Sequence, residues 1–168
     1  ERGKAALAAA AEHEDDIVRF LREMIAIPAE SLDEGDRCRR VRAEYERLGF
    51  DEVRFDRLGN VLARIGEGPL TILMDGHIDC VGVGDPDAWD HDPFEGKLED
   101  GKVWGRGAVD ELPAVACMAY GMSIARARGF PEEVTVYLSA SVMEESCDGY
   151  CLLHVIENEG IRPDLVVI

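Results

Sequence analysis

The chain has 168 residues, 46% of them hydrophobic and 7% aromatic, with 18 Lys and Arg against 35 Asp and Glu, a formal net charge of −17 at pH 7. That apolar share is enough for a buried core and argues against disorder, and the length suits one domain. The acidic surplus argues against nucleic acid or an anionic membrane as partner, because phosphates would be repelled; it leaves a solvated acidic surface, or carboxylates gathered around a metal cation.

Ala5–Ala11 lies beside Glu12, Glu14, Asp15 and Asp16 and does not resemble a cleaved signal, and no apolar run approaches the ~20 residues of a membrane span. Ile17, Phe20, Leu21, Met24 and Ile25 recur at helical spacing, which predicts a helix closed by Pro28. Cys38, Val41, Tyr45 and Leu48 predict a second amphipathic helix stopped at Gly49. Two helices are therefore expected before the first strand. Val53 and Phe55 alternate with charge as a half-exposed strand, Gly59-Asn60 turns the chain, and Val61–Ile65 reads as the neighbouring strand. Leu70–Met74 reads as a strand covered on both faces. From Asp75 to Gly107 the composition shifts to Gly, Asp and Pro, a long irregular stretch of the kind that carries function. A helix over Asp110–Arg128, a strand over Val134–Ser141, a loop over Val142–Gly149 and a helix over Tyr150–Glu159 follow. After Pro163, the run Leu165-Val166-Val167-Ile168 reads as a buried strand, and a chain ending there is expected to be the N-terminal part of a longer polypeptide. Alternating β and α units predict an α/β layered sandwich with a mostly parallel or mixed central sheet flanked by helices.

Asp75-Gly76-His77-Ile78-Asp79 directly follows the Leu70–Met74 strand. Period two puts Asp75, His77 and Asp79 on one side at the strand's end, where open α/β sheets bind ligands. Imidazole is a ligand for zinc and similar ions, and a carboxylate two residues away can accept the other ring N–H; the plainer account is a polar strand end. Gly105-Arg106-Gly107-Ala108-Val109-Asp110 has tight backbone before a helix, where Asp110 could equally be an N-cap. Neither phosphate-binding glycine motif is completed. Glu144-Glu145 leaves the strand over Val134–Ser141, so one carboxylate can bind an ion while its neighbour faces a water as base; an exposed acidic turn is the alternative. Cys147, Cys151 and His154 fall on one helical face, either as a second metal set or, more simply, as core packing. His91 falls in the loop and His13 on a helix surface, neither with a partner pattern. The five cysteines form no dense even framework, which predicts a cytoplasmic location.

The order of these signals is more specific than any one of them. Gly76-His77-Ile78-Asp79, Trp89 with Pro93-Phe94, Gly105-Arg106-Gly107-Ala108-Val109-Asp110 and Glu144-Glu145 together resemble the co-catalytic dizinc peptidase and aminoacylase family, which includes acetylornithine deacetylases, glutamate carboxypeptidases and succinyl-diaminopimelate desuccinylases. The resemblance spans nearly the whole chain, and Glu144-Glu145-Ser146-Cys147-Asp148-Gly149 is most similar to a hydrolase branch linked with selenium metabolism. It implies that His77 ligates one zinc, Asp110 bridges two and Glu145 ligates the second, with Asp79 orienting His77. Glu144 would be the general base toward a hydroxide shared by the metals. It further implies a cis peptide at Asp110–Glu111, and a substrate that is a small amide or peptide such as an N-acyl amino acid or dipeptide. Mn²⁺ or Co²⁺ suits the donors as well as Zn²⁺.

Residues 1–168 would then be the N-terminal part of a metallopeptidase-like catalytic domain. The remaining ligands, the rest of that domain and a lid domain through which a homodimer forms would lie outside these residues. Glu111-Leu112-Pro113 departs from the family's run after the bridging Asp, and Cys80 stands where Thr is common. Two rival readings remain: a non-catalytic metal-binding or assembly module on the same fold, and a purely structural acidic domain, which requires His77, Asp110 and Glu145 to lie far apart.

Overall fold

The computed structural model describes residues 2–168, in the order α1 (Arg2–Glu12), α2 (Glu14–Ile25), α3 (Gly35–Arg47), β1 (Glu52–Phe55), β2 (Val61–Ile65), β3 (Leu70–His77), β4 (Lys97–Glu99), β5 (Lys102–Trp104), α4 (Leu112–Ala127), β6 (Val134–Ser141), α5 (Glu144–Cys147), α6 (Tyr150–Asn158) and β7 (Leu165–Val167). The main sheet is mixed, in the order β1-β2-β6-β3-β7: β1, β2 and β6 run antiparallel, while β3 lies parallel between β6 and β7. This is the layered α/β architecture expected from the sequence.

Alternation along the strands builds two packed faces. Val61, Ala63, Ile65, Val136 and Leu138 pack with Phe20, Met24, Val41, Tyr45, Val115 and Ala119 of α2, α3 and α4. On the other face Leu62 and Leu73 meet Val155 of α6 and Ile161. In β3 and β6 the pairs Asp75↔Ser139 and His77↔Ser141 bring the carboxyl ends of two parallel strands level. Everything that follows either strand therefore opens on the same edge of the sheet.

Several elements differ from the sequence reading. Three helices, not two, precede the first strand: the Ala-rich start forms α1, consistent with alanine's high helix propensity, and His13 sits in the turn at the start of α2. Strand β3 runs on to His77, and its beginning is open, with Leu70 46% exposed, so only its later half is covered on both faces. The irregular stretch contains a 3₁₀ turn at Pro86–Ala88 and the β4–β5 hairpin, whose turn residues Asp100 and Gly101 both have positive φ (51° and 73°). Helix α4 starts at Leu112 with Glu111 at the N-cap position, so Asp110 is not a cap. The expected loop after β6 contains the single-turn α5. Strand β7 is not buried: Val166 packs toward α6, but Leu165 and Val167 are exposed. Among the described residues no helix is long and apolar enough to cross a membrane.

Candidate metal centre

His77 closes β3 with its ring buried. Its Nδ1 lies 3.0 Å from the main-chain carbonyl of Asp79, an acceptor only, so the hydrogen on Nδ1 is fixed and Nε2 faces outward. Nε2 meets Asp110 Oδ1 at 3.0 Å and Glu144 Oε2 at 3.8 Å. Asp110 arrives from the tight G-R-G segment: a Cβ on Gly107, at φ 83°, would stand 2.8 Å from both Cys80 Sγ and Leu112 Cδ1. The Asp110–Glu111 peptide is cis, as the resemblance implied. Glu145 comes from the first turn of α5, and donor atoms of His77, Asp110 and Glu145 all lie within 4.8 Å of one another. The purely structural reading required these three to be separated, and it fails on that distance.

Asp79 meets His77 through its main chain as well as its carboxylate. Its carboxylate Oδ1 stands 3.5 Å from His77 Nδ1, farther than its own carbonyl. The buried carboxylate also accepts from Ser31 Oγ at 2.7 Å and from the N–H groups of Glu144 at 3.0 Å and Glu145 at 3.1 Å. Burial opposes its charge, but the His77 ring and these donors outweigh it and hold the carboxyl below its ordinary range. Asp79 thus ties the end of β3 to the first turn of α5.

Charge around His77 is strongly negative. Burial works against a charged imidazole, but Asp79, Asp110 and Glu111 outweigh it and push the ring up to about 10. The cluster therefore stabilises a cation at Nε2. One imidazole with carboxylates at this spacing is a donor set that fits Zn²⁺, Mn²⁺ or Co²⁺. Glu144 is pushed above the usual carboxylate range, by partial burial and then by Glu145, Asp79 and Asp148.

Glu111, noted in the sequence only as a departure after Asp110, also reaches the site. Glu111 Oε1 accepts the main-chain N–H of His77 at 2.5 Å, and Gly76 makes room for it, since a Cβ there would meet that oxygen at 3.3 Å and Met118 Cε at 2.9 Å. Trp89 and Pro93 do not reach the donors. They brace the G-R-G segment: the Arg106 guanidinium lies 5.0 Å from the Trp89 ring centre, and Arg106 N–H donates to the Pro93 carbonyl at 2.8 Å. A cleft of ≈ 310 Å³ opens beside Asp110 and Glu145, lined also by Val81, Arg106 and Val109.

The second set suggested by the sequence does not assemble. Cys147 is exposed on α5, Asp148 (φ 52°) breaks the helix, and Cys151 is buried in the core. His154 instead lies with Asp56 and Glu159. Those carboxylates are already engaged: Asp56 accepts from the N–H groups of Leu58, Gly59 and Asn60 and from Asn60 Nδ2, and Glu159 pairs with Arg54 at 2.5 Å. The group fastens α6 to the β1–β2 turn.

A family model described as peptidase family M20/M25/M40 matches residues 73–168. The chain is 44% identical over 164 residues to a protein of Escherichia coli (strain K12) named uncharacterized protein YgeY, covering 98% of this chain and 41% of that one. It is 37% identical over 102 residues to succinyl-diaminopimelate desuccinylase of Methylorubrum extorquens, covering 56% and 26%. Human carnosine dipeptidase 1 superposes with a TM-score of 0.77 at 25% identity, over 93% of this chain and 37% of that one. The chain thus spans less than half the length of these relatives.

Proposed function

The chain belongs to peptidase family M20/M25/M40, and from that membership and the assembled donors we propose that it contributes His77, Asp110 and Glu145 to the two-metal centre of an amide hydrolase. The observation that carries this reading is the convergence of the three donors within 4.8 Å, with Glu144 Oε2 3.8 Å from His77 Nε2. The substrate class is a small N-acyl amino acid, dipeptide or related amide, and zinc is the proposed metal. The family model matched over residues 73–168 and the desuccinylase, 37% identical over 102 residues, support the reading.

Each residue then has a task. His77, with Nδ1 held by the Asp79 carbonyl, presents Nε2 to a metal. Asp110, 75% exposed and at the mouth of the cleft, would with Glu145 hold the metals on the open side of the site. When bound, the metals supply Lewis acidity toward the scissile carbonyl and toward water. Glu144, raised by partial burial and by its acidic neighbours, takes the proton of the attacking water and returns it to the departing amine nitrogen. A homodimer formed outside these residues and a reducing, cytoplasmic setting belong to the same proposal; the five free thiols support the setting.

The test is Glu144→Ala in the full-length polypeptide. Hydrolysis should fall by about 10²–10⁴-fold while metal content stays unchanged. A wild-type protein that binds metal but cleaves nothing in a panel of acyl-amino acids and dipeptides would overturn the enzyme and leave the non-catalytic module.

A further inference from the structure

Three side chains at the entry to α3 reach two of the three segments that carry the donors, those of His77 and Glu145. Arg37 is fully buried, and its guanidinium meets main-chain carbonyls and a thiol rather than a carboxylate. Its guanidinium donates to the Ile78 carbonyl at 2.6 Å, to Cys80 Sγ at 3.1 Å and to the Ile27 carbonyl at 3.1 Å. Ile78 lies between His77 and Asp79. Glu34, 6% exposed, accepts the N–H of Met143 at 2.9 Å. Met143 has φ 58°, the left-handed region, immediately before Glu144. Ser31 donates to Asp79, which in turn holds the N–H groups of Glu144 and Glu145.

Core packing alone does not account for this. Arg37 shares the buried stripe of α3 with Cys38, Val41 and Tyr45, where an apolar side chain would pack without the desolvation of a guanidinium. Each of the three polar groups reaches backbone or carboxylate within two residues of a donor, Arg37 through the Ile78 carbonyl, while the rest of its fork ties that strand end to the Ile27 carbonyl after α2. The planar fork of Arg37 is suited to several fixed acceptors at once, which an ammonium is not.

We propose that Ser31, Glu34 and Arg37 are positioning residues, a clamp that uses the start of α3 as a common frame to hold segment 77–80 and segment 143–145 in register for metal binding. The inference rests on the functional reading above, and supporting groups behind metal ligands are worth about 10–100-fold in affinity or activity.

The experiment uses the full-length polypeptide, with metal affinity measured by competition against a chromophoric chelator, the visible spectrum of the Co²⁺-loaded protein, and kcat and KM on a cleaved amide. Glu34→Ala and Arg37→Met should weaken metal binding and lower kcat by roughly 10–100-fold and shift the Co²⁺ bands, with KM less affected. Glu34→Gln keeps an acceptor for Met143 and should restore both; Arg37→Lys should not. Circular dichroism of the metal-free variants reports folding, and if the larger changes unfold the chain, Ser31→Ala, which removes one hydroxyl, should show the same spectral shift in smaller degree. Folded variants with wild-type affinity and spectrum overturn the clamp, as does a Glu34→Gln variant as impaired as Glu34→Ala. A wild-type protein that takes up no metal removes the functional reading and the clamp together, so the two failures are distinguishable.

Discussion

Gly107 shows how narrowly single residues constrain this site. At φ 83°, with a hypothetical Cβ 2.8 Å from Cys80 Sγ and from Leu112 Cδ1, it permits the chain to approach the core just before Asp110. Gly59 has φ 103° but open space around it. Gly107→Ala should therefore cost about 1–3 kcal/mol from backbone strain, plus the displacement of its two neighbours, whereas Gly59→Ala should cost only the strain. Urea midpoints of the two variants check the difference, and equal losses would show that the crowding at Gly107 relaxes freely. At this scale His77, Asp79, Asp110, Glu144 and Glu145 could be singled out as candidates because strand ends and glycines flank them, while their proposed roles came from the family resemblance. Ser31, Glu34, Arg37 and Glu111 could not be singled out, because their partners lie 48, 109, 41 and 34 residues away. The one local hint was a charged residue on the apolar stripe of α3.

Among the elements, three helices meet at Glu44. From α3 its buried carboxylate accepts Arg47 at 2.6 Å, Arg40 at 2.7 Å and the Tyr120 hydroxyl of α4 at 2.5 Å, with Arg19 of α2 at 3.5 Å. Burial opposes the charge, but Arg47, Tyr120 and Arg40 outweigh it and bring the carboxyl from 4.5 down to about 2. The folded state therefore binds this proton more weakly than the unfolded chain. The resulting stability is complete above 4.5 and is lost as pH falls toward about 2. It amounts to about 2–3 kcal/mol, allowing for partial screening by solvent. Glu44→Gln should be less stable at pH 7 and show a flatter acid limb in urea unfolding between pH 5 and pH 2, each as an expected outcome of this linkage; an unchanged limb would place the acid sensitivity elsewhere. Periodicity revealed α2, α3, β2, β6 and α6. It missed β4, β5 and α5, since three or four residues are too few to show a period, and α1, whose alanines carry no amphipathic contrast. It ended β3 early because Asp75-Gly76-His77 has poor strand propensity, which ladder pairing with β6 overrides.

For the molecule as a whole, a charge of −17 means self-repulsion in the compact state. Raising ionic strength from about 0.01 M to about 0.15 M shortens the screening length from about 30 Å to about 8 Å, so the melting temperature should rise with salt. A flat response would mean that the acids are already locally paired. Chelation should lower the melting temperature of the full-length protein and added Zn²⁺ should restore it, since a ligand at 100 times its Kd stabilises by about 2.7 kcal/mol. The chain's own sequence determined its α/β class, the strands that end at the site and the candidate donor side chains, because strand and helix periods and residue chemistry are local properties. Only the tertiary structure decided which groups meet. The level ends of β3 and β6, set by the register His77↔Ser141, bring positions 77 and 145 to one edge of the sheet, the segment before α4 adds Asp110 so that donor atoms of the three lie within 4.8 Å, and the entry to α3 lies behind them. Such contacts depend on how strands pair and helices pack, and no stretch of sequence shorter than the fold contains them.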